Sequence, residues 1–141
     1  VPDWPAALAA LIERRRAEPF LWGQQDCVTF AADDVLALTG QDVLGELRGA
    51  WRSLDEAVAV LRREGGLRAA IARRLGAPLP TPRLAQRGDV LLVSRPLLTG
   101  CAVARRRLFV AVCDADRFVA PAEGGLVHGP MQAAQTAWGV R

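Results

Sequence analysis

The chain changes its hydrophobic rhythm near the middle. In the first half, apolar residues recur at helical spacing. Trp4, Leu8, Leu11 and Ile12 mark one helix, with Asp3 as its N-cap and Pro5 in the first turn, where a missing N–H costs nothing. Arg14, Arg15, Arg16 and Glu18 end it in a charged turn, and Pro19 to Gly23 reads as a short extended or looping segment. A second helix is expected from about Asp26 to Leu38, with Phe30, Ala31, Val35 and Leu38 as its apolar stripe and Gly40 as its stop. Ser53 and Glu56 form a capping box for a third helix carrying Ala57, Val58 and Leu61, which Gly65-Gly66 ends. A shorter fourth helix buries Leu67, Ala70, Ile71 and Leu75, and Gly76 closes it.

Pro78, Pro80 and Pro82 then break all regularity, and from Gly88 onward the apolar residues come in runs of strand length. Asp89 to Ser94 and Leu108 to Cys113 are the clearest. Asp114-Ala115-Asp116 turns the second into Arg117 to Ala120, and Glu123-Gly124-Gly125 turns that into Leu126 to His128. A short helix is expected over Met131 to Thr136, and a last strand over Ala137 to Val140. Helices followed by an antiparallel meander define an α+β class. We read residues 1–141 as one domain, with a helical half over about 3–76, a Pro-rich connector over 77–87 and a sheet half over 88–141, because neither half closes a core alone.

Composition narrows the picture. Of 141 residues, 51% are hydrophobic and 23% charged, a globular balance. No apolar run is long enough for a membrane span, and Val1-Pro2-Asp3-Trp4-Pro5 shows no basic region followed by an apolar stretch, so neither a span nor a secretory signal is expected. The net charge is +3 and every basic side chain is arginine; Lys, Asn and Tyr, whose codons are AT-rich, are absent. A GC-rich genome accounts for that bias. The triplets Arg14 to Arg16 and Arg105 to Arg107 therefore read as a solvated helix face and a hairpin tip, and nucleic acid is not expected as a partner. Cys27, Cys101 and Cys113 are odd in number and widely spaced, which argues against a disulfide framework. With His128 they make the residue count of a zinc site. No CxxC or HxxxH pair supports one, so neither metal nor cofactor is expected. Asp33-Asp34 reads as helix-surface charge rather than a metal pair.

The stretch that bears on chemistry is Trp22-Gly23-Gln24-Gln25-Asp26-Cys27. It puts a cysteine in the first turn of a helix, where free amides and the dipole favour a thiolate, the nucleophile of cysteine peptidases. Asp26 caps the same helix. The competing reading makes Cys27 a small apolar residue on the buried face. Trp22 either lines a groove beside Cys27 or packs on the first helix, and Trp51 and Trp138 read as core or interface anchors.

Taken together, Trp22-Gly23, Asp26-Cys27, the helix, its terminal Gly40 and the later Gly88-Asp89-Val90-Leu91-Leu92 resemble the NlpC-type cell-wall peptidases, small papain-like enzymes. The resemblance is closer to a branch of that family found in phage tails and gene transfer agents. That branch shares the Trp-Gly-x-x-Asp-Cys start, Gly40 with Asp42, the Gly88-Asp89 strand, Gly125-Leu126-Val127 and the closing Ala137-Trp138, over about Leu21 to Val140. It implies a papain-like fold with Cys27 at the nucleophile position and Trp22, Gly23 and Asp26 around it. In the active family a histidine opens the second strand. Phe109 stands there in this chain, or Leu108 if the register slides by one, and the group that would orient the base falls near Ala120. A cysteine peptidase without its base loses both thiol activation and the acid for the leaving amine. The lone histidine, His128, could replace it only if its strand neighbours the second one, and Asp89, Asp114 and Glu123 are then candidate orienters.

Three readings follow. The resemblance favours a component of a phage-type tail tip or hub, assembled in the host cytoplasm, that keeps the peptidase fold and has lost its chemistry. Its partners would be other hub or tip proteins. The alternative is a working peptidase that cleaves peptidoglycan peptide bonds during genome delivery, with Cys27 as nucleophile and His128 as base. The third is an unrelated intracellular binding domain. Pro96 to Arg107, read as a loop with Pro96-Leu97-Leu98 beside a basic tip, is the candidate partner surface.

Overall fold

A computed structural model describes residues 1–99 and 102–141; Cys101 lies outside them. Among the described residues there are four α-helices, α1 (Trp4–Arg15), α2 (Cys27–Thr39), α3 (Leu54–Arg63) and α4 (Leu67–Leu75). Five strands follow, β1 (Val90–Thr99), β2 (Ala102–Asp114), β3 (Arg117–Ala122), β4 (Gly125–Pro130) and β5 (Ala134–Trp138). The sheet is antiparallel in the order β4-β3-β2-β1-β5. The α+β class and the helix-then-meander order expected from the sequence are what the chain adopts. No helix is long and apolar enough to cross a membrane among the described residues.

The strands read as continuous apolar runs because both faces of the sheet are covered. Val90, Leu92, Val110, Val112 and Val119 point to the helices and pack with Leu8, Leu11, Phe30, Val35 and Leu38. Leu91, Val93, Ala111, Cys113, Phe118 and Ala120 point the other way, where Leu79 and Ala85 of the Pro-rich connector and Met131 cover them. The connector is therefore a layer of the domain. It is fixed by the Leu79 N–H donating to the Ala137 carbonyl (2.8 Å). Gly88 can only be glycine here: its φ is +93°, and a Cβ would overlap Leu38.

Several local expectations change. Asp3 precedes α1 without a side-chain cap. Ser53 does cap α3, accepting from the Glu56 N–H (3.2 Å), but Glu56 reaches back to the Arg52 N–H (2.9 Å) rather than to Ser53. The full capping box belongs to α2, between Asp26 and Thr29. Met131–Ala133 is a single 3-10 turn, and the last strand begins at Ala134 and ends at Trp138, so its register sets Val90 opposite Trp138. The described residues of the stretch read as a loop are strand: β1 continues to Thr99 and β2 starts at Ala102, paired from Thr99↔Ala102 inward.

Asp33 and Asp34 part company. Asp33 faces outward and is gripped by Arg15 (2.6 Å) and Arg48 (2.8 Å), the second of which also binds Asp42 (2.9 Å). Asp34 overturns the surface reading: it is 0% exposed, and its carboxyl has no hydrogen-bond partner among the described residues. Burial, and then the neighbouring Asp89, push its pKa well above the usual carboxylate range, with Arg141 opposing.

The folded chain thus holds the Asp34 proton more tightly than the unfolded chain. Stability linked to this proton is complete below about pH 4 and falls as pH rises toward the folded value, by up to about 1.4 kcal/mol per pH unit. Asp34→Asn should therefore be more stable than the parent at pH 8, with the advantage shrinking toward pH 4.5. Urea denaturation at the two pH values reads this directly, and parallel pH profiles would contradict it.

Candidate functional site

The site is built where the loop before α2 meets the foot of α3. Leu21 and Gln25 form an isolated bridge that closes the loop, and Gly23 turns it with φ +81°. Asp26 then ends the loop in extended backbone and caps α2. Its side chain is 1% exposed, a costly place for a carboxylate unless donors surround it. Three do. Oδ1 accepts from the Thr29 N–H (2.8 Å), and Oδ2 accepts from the Gly23 N–H (2.7 Å) and the Trp51 Nε1–H (2.7 Å). Thr29 Oγ1 completes the box by accepting from the Asp26 N–H (2.9 Å).

Trp51 is the partner the sequence did not disclose. Its indole is 5% exposed, and a buried indole N–H usually finds an acceptor. That requirement was the available signal, but nothing in the spacing pointed to Asp26. Gly23 completes the joint, since a Cβ there would overlap the Trp51 carbonyl oxygen. Gln25, 2% exposed, is held by Arg15 (2.7 Å), which ties the loop to α1.

Cys27 follows as the first residue of α2 and faces β2, its thiol beside the backbone of Val110. Burial pushes the thiol up to about 11, and Asp26 pushes the same way, against the Val110 backbone and Arg107. A helix N-terminus contributes about 0.3–1 kcal/mol, less than one pH unit's worth, so it does not overcome that burial. Of the two readings of Cys27, the surroundings thus favour the thiol packed among apolar groups over the thiolate.

Alternation along β2 decides which side chain faces Cys27. Val110 and Val112 point to the helices, so Leu108 does too, while Phe109 points through the sheet and stacks edge-on to Phe118 (5.6 Å between centroids). Leu108 therefore shares the helix face of β2 with Val110, where it lines the same groove as Cys27 while remaining half exposed. Ala120 also faces away, in the second core cluster. His128 is not brought to the site. It lies on β4, opposite Val119, with β3 between it and β2, a separation of about 10 Å in strand spacings alone. Its Nε2 lies 3.9 Å from Asp114 Oδ2, and Asp114 also binds Arg87 (3.1 Å). Burial and Arg117 lower the His128 pKa, with Asp114 opposing. Asp89 is occupied elsewhere, accepting from the Gln86 N–H (2.8 Å) and the Val140 N–H (3.1 Å), and Glu123 is exposed in the β3–β4 turn. Cys27 and Cys113 lie on opposite sides of the sheet, so they do not converge on a metal.

Beside Cys27 a groove opens between α2, β2, α3 and α4, with a volume of about 280 Å3 and an almost wholly apolar lining. Trp22 lines it, in contact with Phe20 (4.7 Å between centroids), rather than packing on α1.

This is an α+β domain whose Trp-Gly-x-x-Asp-Cys joint carries a cysteine packed against β2, with no histidine or carboxylate brought up as its base among the described residues. The chain belongs to the family described as Domain of unknown function (DUF6950), whose family model matches residues 1–140. No curated protein and no solved structure matches it.

Gly23→Ala should destabilise the fold by at least about 2 kcal/mol, from left-handed strain plus the displaced Trp51 carbonyl. Gly124→Ala, whose Cβ meets nothing within 4 Å, is the control and should cost less than about 1 kcal/mol. Equal losses in chemical denaturation would contradict this account of the joint.

Proposed function

We propose that the chain is a structural component of a phage-type tail, at the tip or hub, built on a papain-like NlpC-type fold that has lost its catalysis. The observation that carries the second half of this reading is the apolar stretch of β2 in the groove beside Cys27: neither Leu108 nor Phe109, the two positions where the resembling enzymes would have a histidine, can take a proton. General acid–base help is typically worth about 10² to 10⁴ in rate, and no described residue around Cys27 supplies it. The retained Asp26-Cys27 pair does not argue for activity, because Asp26 has structural work in holding Gly23, Thr29 and Trp51.

The tail assignment rests on the motif likeness: Trp22-Gly23 with Asp26-Cys27, Gly40 with Asp42, Gly88-Asp89, Gly125-Leu126-Val127 and Ala137-Trp138. Most of these residues hold the fold. Gly40 ends α2 in a left-handed cap, Asp42 holds Arg48, Asp89 ties the connector and the C-terminal residues to β1, and Trp138 is 1% exposed in the core. A scaffold that keeps its fold without chemistry would keep these. A peptidase acting on peptidoglycan would need His128 to travel from β4 to Cys27.

The test is the alkylation rate of Cys27 against pH, with Cys101 and Cys113 replaced by Ala, with and without His128→Ala. The expected profile is a slow reaction that accelerates only above about pH 9, unchanged by the His128 substitution, with no release of peptide from peptidoglycan. Rapid alkylation at pH 7 that depends on His128, with peptidoglycan cleavage lost in Cys27→Ala, would overturn the degenerate reading. Co-expression with tail-tip and hub proteins of the same genome should yield a stable complex; a chain that stays monomeric in their presence would overturn the tail assignment.

A further inference from the structure

Beside Cys27 about 280 Å3 lies open between α2 and β2 on one side and α3 and α4 on the other. Val35, Val58, Leu61, Leu67 and Val110 are representative of its lining. Val58, Leu61 and Leu67 are only partly buried, so the groove reaches the surface, and a pocket of this size and apolarity suits a small ligand.

The polar groups along it are mostly committed. Glu64 is paired with Arg73 and Arg74, and Asp26 holds its three N–H donors. That leaves the neutral thiol of Cys27 and the guanidinium of Arg107. Arg107 leaves β2 on the Phe109 side, where β3 does not pair with the strand among the described residues; its exposed side chain lines the groove, its charge lies within electrostatic reach of Cys27, and it has no carboxylate partner among the described residues.

These features select the occupant. An extended peptide would carry an N–H and a C=O per residue into a lining that offers almost no partners for them. A hydrocarbon chain carries none. The free guanidinium sets the sign of the head group, because a carboxylate there gains a charge-assisted pair that an alcohol or a cation does not. We propose that the groove is a binding site for a long-chain carboxylate, with the hydrocarbon between α2, β2, α3 and α4 and the head group at Arg107 beside the Cys27 thiol. The proposal goes beyond the tail reading and does not depend on it.

The full chain is titrated with monomeric dodecanoate and followed by methyl NMR and by the alkylation rate of Cys27. The expected result is one saturable site, with shifts centred on Val58, Leu61, Leu67 and Val110 and slower alkylation of Cys27. Arg107→Glu should weaken dodecanoate roughly tenfold or more, while dodecanol, the neutral analogue, binds parent and variant alike. Val58→Arg should abolish binding. Arg107 is exposed, so if Val58→Arg fails to fold, Arg107→Glu decides alone. The proposal is overturned if no saturable site appears, if the shifts fall outside the groove or if dodecanoate is indifferent to Arg107→Glu. Binding only to dioleoylphosphatidylglycerol vesicles, and not to monomeric dodecanoate, would also overturn it and point to a membrane surface.

Discussion

Asp26 keeps a carboxylate where water barely reaches, and three N–H groups from three parts of the chain converge on it. Gly23 brings the loop before α2, Thr29 brings the first turn of α2, and Trp51 brings the segment that leads into α3. Removing the acceptor would leave buried donors unpaired, each at a cost of about 1–3 kcal/mol, so these segments are positioned as a unit. The position of Cys27 follows from that joint. The residue after an N-cap must sit in the first helical turn, and α2 is pressed on β2 by Phe30, Val35 and Leu38, so the thiol meets Val110.

The same joint shapes the groove. Trp51 is anchored through its indole N–H, which fixes where α3 begins, while Gly65 and Gly66, both with positive φ, let α4 fold back toward α2. The helices enclose an apolar channel rather than closing on it, because their inward residues are short and aliphatic along much of its length, as at Ala57, Val58 and Val60. The features that make a cysteine reactive are a nearby base and an electropositive, solvated setting. Cys27 instead opens on aliphatic side chains, and burial outweighs the helix end.

Much of the scaffold was legible in the sequence. The stripe of Phe30, Ala31, Val35 and Leu38, the stop at Gly40, and the runs of Val90 to Val93 and Val110 to Cys113 carry their structure in their own spacing. What was not legible depended on partners far along the chain. Trp51 and Asp26 are a pair only after folding. Asp34 looks like surface charge beside Asp33 but falls on the buried side of α2. The extent of the β1–β2 hairpin was hidden by Pro96, which suggests a loop, although a proline is tolerated in a strand where its nitrogen faces no ladder partner. Whether Phe109 or Leu108 takes the helix face was undecidable from an apolar run, in which neighbouring residues look alike; the register with β1 decides it, by setting Val110 opposite Leu92 on that face.

The account rests on Asp26 and Trp51 forming one energetic unit, and a double-mutant cycle tests that most directly. Stability would be measured by urea denaturation for the parent, Asp26→Ala, Trp51→Phe and the double variant. Trp51→Phe keeps most of the ring and removes the indole N–H, so the cycle reports the hydrogen bond more than the packing. The account predicts a coupling above about 1 kcal/mol, with the double variant losing much less than the two single losses combined. Losses that add to within about 0.5 kcal/mol would mean that the two residues stabilise the fold separately, and the joint described here would not be what positions Cys27.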